Sequence, residues 1–322
     1  MSLQEAIDQF LAELAHKRAG KTAHTYATSM HHLLDWADAH GLSAVAELTP
    51  ERLMEFVKSL AERDLARATM RVYLAGASSF YKWCISQELV QFDLAEWTRL
   101  EMRMHDWRKG LTETKLPRLP NEVTVQGTVA AAQHPAPRFA STTQQRNRYD
   151  LIMLRDRALV ESLRCTGARV SELCTLTRAD LDPVRKQAQC SGKGRKDRML
   201  RFDDRAWAAL QKYLSLRDEL LKANGNGQEP VFSRHDRRTG ERVLPLSTNA
   251  VRTILKYLSK WGGVEHLTPH QFRHRFATRM LEATGDIAMV QKALGHASVA
   301  TTQVYAQVAD ARLDEAYRNT EL

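Results

Sequence analysis

Apolar side chains recur at three- and four-residue intervals through residues 1–92, the spacing that puts them on one face of a helix. Leu3, Ile7, Phe10, Leu11 and Leu14 form one such stripe. Tyr26, Met30, Leu33, Leu34, Trp36 and Ala37 form a second. Thr49-Pro50-Glu51 reads as a helix start, with a capping hydroxyl, a proline at the first helical position and an acid in the first turn. The helix it opens runs through Leu53, Phe56, Val57 and Leu60, and a fourth follows over Arg67–Ser86. The aromatic and methionine positions of these stripes are core residues, since such stripes bury a face.

The pattern loosens over residues 93–150. Pro117, Pro120, Pro135 and Pro137 and the polar run 141–148 predict a linker and a long basic loop, interrupted by a short helix near Asn121–Gln133. Helical spacing returns over Leu151–Cys165, breaks at Thr166-Gly167 and resumes near Ala168–Leu176. Lys186–Cys190 and Asp197–Phe202 read as two short strands, joined by the glycine-bearing turn 191–196. A loop at 224–227 precedes helices near Thr248–Lys260, Pro269–Ala283 and Asp286–Leu294, and a last short pair surrounds Thr301–Val308. The pattern predicts a mainly α protein with a small β element in three segments. These are a helical domain at 1–100, a linker and basic loop at 101–150, and a C-terminal domain at 151–322.

Composition narrows the partner. The formal charge is +9, but residues 1–100 hold 10 basic and 13 acidic side chains, so 101–322 carries +12. An excess of that size on one segment points to a polyanion. No apolar run approaches the ~18 residues of a membrane span, so no membrane partner is expected. The N-terminus MSLQEAIDQF has acids where a secretory signal has basic residues. Cys84, Cys165, Cys174 and Cys190 lack paired spacing and read as reduced, mostly buried thiols of a cytoplasmic protein.

Four separated pieces could carry chemistry: residues 165–173, 192–198, 268–274, and 294–296 with 301–305. In the third, Thr268 caps and Pro269 starts a helix, and His270 shares a face with Arg273 and His274. A histidine and an arginine on a first turn, where free N–H groups favour anions, make a phosphate cradle. His270 and His274 also have zinc-ligand spacing, with His296 as a third ligand. Against that, Gln271 stands where the metalloprotease motif has its general base, and an arginine between the ligands repels a dication. Lys193 sits at a tight Gly-Lys-Gly turn that lacks P-loop spacing, so no ATP requirement follows.

Together these pieces resemble the tyrosine recombinase (phage integrase) family, including its Xer-like and Cre-like members. The ordered set is Thr-Gly-x-Arg-x-Ser-Glu-Leu, Gly-Lys-Gly-x-Lys-x-Arg, Pro-His-x-x-Arg-His, Leu-Gly-His and Thr-Thr-x-x-Tyr, and the resemblance covers most of the chain. It implies a helical SAM-like core-binding domain and an α+β catalytic domain with a small antiparallel sheet, closing as a C-shaped clamp on DNA. It implies a site-specific DNA recombinase that cuts and rejoins strands through a 3′-phosphotyrosyl link and a Holliday junction, with no cofactor and no metal. Tyr305 matches the nucleophile, Arg169 and Arg273 the two arginines, and Lys193 the hairpin general acid. His270 matches the proposed base, His296 the histidine that bonds the phosphate, and Glu172 an acidic position that holds an arginine or histidine in place. The implied partners are double-stranded DNA recombination sites and a homotetramer exchanging C-terminal tails, with a second recombinase or accessory protein as a further candidate. Competing readings are a type IB topoisomerase, a telomere resolvase and a silent DNA-binding protein of the same fold. Two departures stand out: Arg164, where many members have an aromatic residue, and a loop around 134–149 that looks longer than usual.

Overall fold

The computed structural model describes residues 1–295, except 18–19, 64, 92, 112–119, 137–138, 192–196, 222–226, 238 and 241. The chain divides into two compact units, Met1–Lys115 and Leu116–Leu322.

The first unit is helical: α1 (Leu3–Lys17), α2 (Gly20–Ala39), α3 (Pro50–Ala61), α4 (Arg67–Ser86) and α5 (Leu94–Gly110). Thr49 caps α3 as its sequence predicts, its hydroxyl accepting from the Arg52 N–H at 3.3 Å. The α2 and α4 backbones approach closely at Gly76, where a Cβ would lie 2.7 Å from Ser29 Oγ. Around that contact Phe10, Met30, Leu33, Phe56, Phe80 and Tyr81 form a buried core.

The second unit contains α6 (Glu122–Gln133), α7 (Thr143–Thr166), α8 (Val170–Thr175), α9 (Asp204–Leu221), α10 (Thr248–Trp261), α11 (Pro269–Thr284) and α12 (Ile287–Leu294). Strands β1 (Leu181–Asp182), β2 (Gln187–Ser191) and β3 (Asp197–Arg201) form an antiparallel sheet in that order. The polar-looking β2 is the central strand because Ala188 and Cys190 both turn into the core, Ala188 opposite Leu200 and Cys190 opposite Arg198. Leu159, Leu163, Leu173, Tyr213, Phe232 and Leu255 are among the core side chains.

The mainly helical reading with a small antiparallel sheet holds, as does the short helix expected near Asn121–Gln133, and helical structure reaches further into 101–150 than the sequence suggests. α5 continues to Gly110, because Leu100 and Met104 are buried in the first unit's core. α7 begins at Thr143, within the run read as loop, since the Thr142 hydroxyl caps it by accepting from the Gln145 N–H at 3.2 Å. Polar side chains on an exposed first turn are compatible with a helix, so polarity alone misleads there. The sequence reading also assigns no element to 204–221, although Ala206, Leu210, Tyr213 and Leu214 mark a buried face of α9.

The four cysteines are free, and all but the half-buried Cys165 are buried. Burial pushes the thiols of Cys84 and Cys165 up to about 12, and those of Cys174 and Cys190 to about 11. Arg217 is fully buried in α9 and is met by an acceptor shell. It donates to the Pro230 carbonyl at 2.5 Å, Ser233 Oγ at 3.2 Å and, from Nη2, Asp218 Oδ1 at 3.0 Å. Beside it the Tyr213 hydroxyl pairs with His235 Nε2 at 2.9 Å.

Candidate active site

The site is built where two helices end. Gly167 terminates α7 in the left-handed region (φ 57°), a conformation that costs any other residue strain. A Cβ there would also lie 2.3 Å from Phe276 Cδ1, so α11 packs directly on the missing side chain. Two residues on, Arg169 is the N-cap of α8.

Glu172 completes the first turn of α8 in two ways. Its Oε2 accepts from the Arg169 backbone N–H at 2.6 Å, and its Oε1 accepts from Arg169 Nη1 at 2.8 Å. One carboxylate therefore satisfies an otherwise unpaired helix-end donor and orients the guanidinium above it. Arg198, from β3, donates from Nη2 to the same Oε2 at 2.6 Å. Burial opposes ionisation of Glu172, but hydrogen bonds and charge from Arg198, then Arg169, outweigh it and hold the carboxyl below its usual range. The Arg169 side chain stays 38% exposed while Glu172 is 4% exposed, so the acid is a buried anchor and the arginine faces outward from it.

Arg273 lies on α11, opened by the Thr268 cap that the sequence predicts. Gln271 is the return half of that capping box, its Oε1 accepting from the Thr268 N–H at 2.8 Å. Arg273 is buried, donating from Nη1 to the Gly167 carbonyl and from Nη2 to the Leu294 carbonyl, each at 2.7 Å. Its charge thus sits against the C-terminal, electronegative ends of both α7 and α12.

His270 and His274 stack edge to face, ring centroids 4.3 Å apart. Desolvation, then the charges of Arg273 and Arg169, hold the His270 imidazole below its ordinary value. His274, desolvated beside His270 and Arg273, falls to about 4. Among the described residues no third histidine, cysteine or acid joins them as a metal ligand set.

Of the residues singled out in the sequence, Arg169, Glu172, His270 and Arg273 thus come together. Lys193, His296 and Tyr305 lie outside the described residues. Sequence reasoning gave Arg198 no role although it closes the Gly-Lys-Gly-x-Lys-x-Arg piece; nothing local signals a contact with Glu172, 26 residues earlier. The Arg164 departure is accounted for by its partners: it donates to Glu161 Oε2 at 2.7 Å and to Asp203 Oδ2 at 2.5 Å, tying the last turn of α7 to the start of α9.

Residues 137–312 match the Phage integrase family, and residues 7–88 match the Phage integrase, N-terminal SAM-like domain. The tyrosine recombinase XerC of Corynebacterium efficiens is 31% identical over 98% of this chain and 90% of its own length. The tyrosine recombinase XerD of Oceanobacillus iheyensis is 29% identical, covering 98% of each. Among solved structures, the XerH site-specific recombinase bound to a palindromic difH substrate shares the fold with a TM-score of 0.68 at 20% identity, over 92% of this chain and 78% of that one. A lambda integrase dimer bound to a COC′ core site gives 0.62 at 16% identity, over 95% of each chain. The chain belongs to the phage integrase family and is a tyrosine recombinase.

Proposed function

We propose that the protein is a site-specific recombinase of double-stranded DNA that breaks and rejoins strands through Tyr305. The Tyr305 oxygen attacks a backbone phosphorus, the P–O5′ bond breaks, and a 3′-phosphotyrosyl link keeps the bond energy that rejoining needs. His270 accepts the phenol proton and Lys193 delivers one to the departing 5′-oxygen. The 5′-hydroxyl of a partner strand then reverses the step, so neither ATP nor another cofactor enters. Arg169 and Arg273 stabilise the added charge on the non-bridging oxygens, His296 donates to one of them, and Glu172 keeps Arg169 in position.

The observation that carries this reading is the convergence of Arg169, Arg273 and His270 around the end of α7, with Arg273 held by the Gly167 carbonyl two residues from Arg169. Charge supports a DNA partner in each unit. The second is strongly basic, and in the first an open groove of about 840 Å³ is lined by Arg71, Lys82, Arg108 and Lys109 although the unit as a whole is acidic. The working assembly is a homotetramer on two sites. Its C-terminal tail beyond Tyr305, with an apolar set of Leu313, Ala316 and Tyr317, docks on a neighbouring copy. The cell compartment is the cytoplasm, at the nucleoid, and an accessory protein or second recombinase is a further candidate partner.

The test is covalent trapping. Full-length protein is incubated with supercoiled and genomic DNA, denatured, and the DNA that stays attached is sequenced. Wild type yields a discrete set of attached sequences and Tyr305→Phe yields none; an adduct formed by Tyr305→Phe removes the nucleophile assignment. Partner exchange between two recovered sites separates recombination from topoisomerase-like relaxation or hairpin formation.

A further inference from the structure

The last four carbonyls of a helix have no partner within it. In α12 these belong to Gln291, Lys292, Ala293 and Leu294, and each is satisfied. The Gly295 N–H, in a left-handed cap, is shared by the Gln291 and Lys292 carbonyls. Arg273 donates to the Leu294 carbonyl at 2.7 Å, and Arg198 Nη1 donates to the Ala293 carbonyl. The other terminal nitrogen of Arg198 is on Glu172 at 2.6 Å. With its side chain only 8% exposed, Arg198 spans from the carboxylate that orients Arg169 to the helix end from which the chain proceeds to His296 and Tyr305. Gly295 makes room for the span: a Cβ there would lie 2.7 Å from Arg198 Cδ.

We propose that Arg198 is a positioning residue for the strand-cleavage reaction, fixing where the chain leaves α12 relative to Glu172 and Arg169. It does so from β3, the strand that follows Lys193 along the chain, so one guanidinium ties three parts of the motif set into one frame. The proposal deepens the recombinase reading above and rests on it. A guanidinium suits the task because its two terminal nitrogens reach two acceptors in fixed directions, whereas a lysine ammonium is a single point on a flexible stem. The contacts of Arg198 are to protein groups, so its loss is expected to change the rate of the chemical step and leave DNA affinity in place. Misplacing reacting groups by about 1 Å costs on the order of 10²-fold in rate.

The experiment uses full-length protein and a nicked suicide duplex built on a sequence recovered by covalent trapping. Affinity is read by gel shift, and adduct formation by single-turnover kinetics with protein in excess. Arg198→Ala is expected to slow adduct formation about 100-fold and Arg198→Lys about 10-fold, with affinity within about twofold of wild type for both. A 5′-thio leaving group, which needs little protonation, restores Lys193→Ala and leaves both Arg198 variants slow. A folded Arg198 variant that cleaves within threefold of wild type overturns the proposal. So does a rate loss matched by an equal loss of affinity, or recovery of the variants with the 5′-thio substrate. If Arg198→Ala shows no cooperative melt, Arg198→Lys decides by the same criteria. Absence of any wild-type adduct is a different result: it defeats the recombinase reading, and this proposal with it.

Discussion

Replacing Gly167 with alanine perturbs the point where α7, α11 and Arg273 meet, and the cost can be worked from the structure. The residue sits at φ 57°, where an L side chain costs roughly 1–2 kcal/mol. The new methyl group would also start 2.3 Å from Phe276 Cδ1, and Phe276 packs against buried Ala277, Val290 and Leu294. Overpacking of this kind costs about 1–3 kcal/mol. Alanine loses less backbone entropy than glycine on folding, which returns about 0.4–1 kcal/mol. The net expectation is a loss of about 2–4 kcal/mol, large against the stability of a typical domain. The assay is urea unfolding of the full chain, followed by hydrogen exchange of peptides from α7 and α11. A double mutant separates the two causes: Phe276→Leu removes the clash but leaves the backbone strain. Gly167→Ala with Phe276→Leu should therefore cost about 1–3 kcal/mol less than the sum of the single changes. Because the Gly167 carbonyl accepts from Arg273, strand cleavage should fall in the single variant beyond any loss of folded protein. A Gly167→Ala protein within about 0.5 kcal/mol of wild type, or strictly additive changes, would refute the packing argument.

Further outcomes follow from the charged groups. His235 is pushed to about 3 by burial and by Arg155 and Arg217, against 6.5 when unfolded, so the unfolded chain binds the extra proton on acidification. Its contribution is complete above pH 6.5 and is lost as pH falls toward 3, about 2–3 kcal/mol by pH 4.5; a melting-temperature profile of His235→Gln should be flatter than that of wild type over this window. Arg217→Met removes a donor from Glu229, Asp218 and the Pro230 carbonyl, although Asp218 keeps Arg178 and the carbonyl keeps the Ser233 hydroxyl, and should cost about 1–3 kcal/mol in urea unfolding; a neutral result would mean the buried charge is replaceable by packing. Strand cleavage should survive excess EDTA, because the charge on phosphorus is met by arginines; loss of the adduct on chelation would bring back a metal at His270 and His274.

Local chemistry determined a large part of this protein. Helical spacing and short-range caps such as Thr49-Pro50 and Thr268-Pro269 were legible because they act within one or two turns. The motif set was legible through its resemblance to a family whose pieces stand in this order, and within it Arg169 with Glu172, and His270 with Arg273, lie about one turn apart. The same local reading failed where burial settles the outcome: α5 extends through Leu100 and Met104 because another helix covers them, and α9 is fixed by core contacts. Only the tertiary structure decided which cation does what. Arg273 is buried because Gly167, 106 residues away, and Leu294 offer it carbonyls, while Arg169 faces outward from its carboxylate. Arg198 gains a role through Ala293, 95 positions away. A guanidinium looks the same in any sequence; its work is set by the acceptors that folding brings to it, and those lie far along the chain.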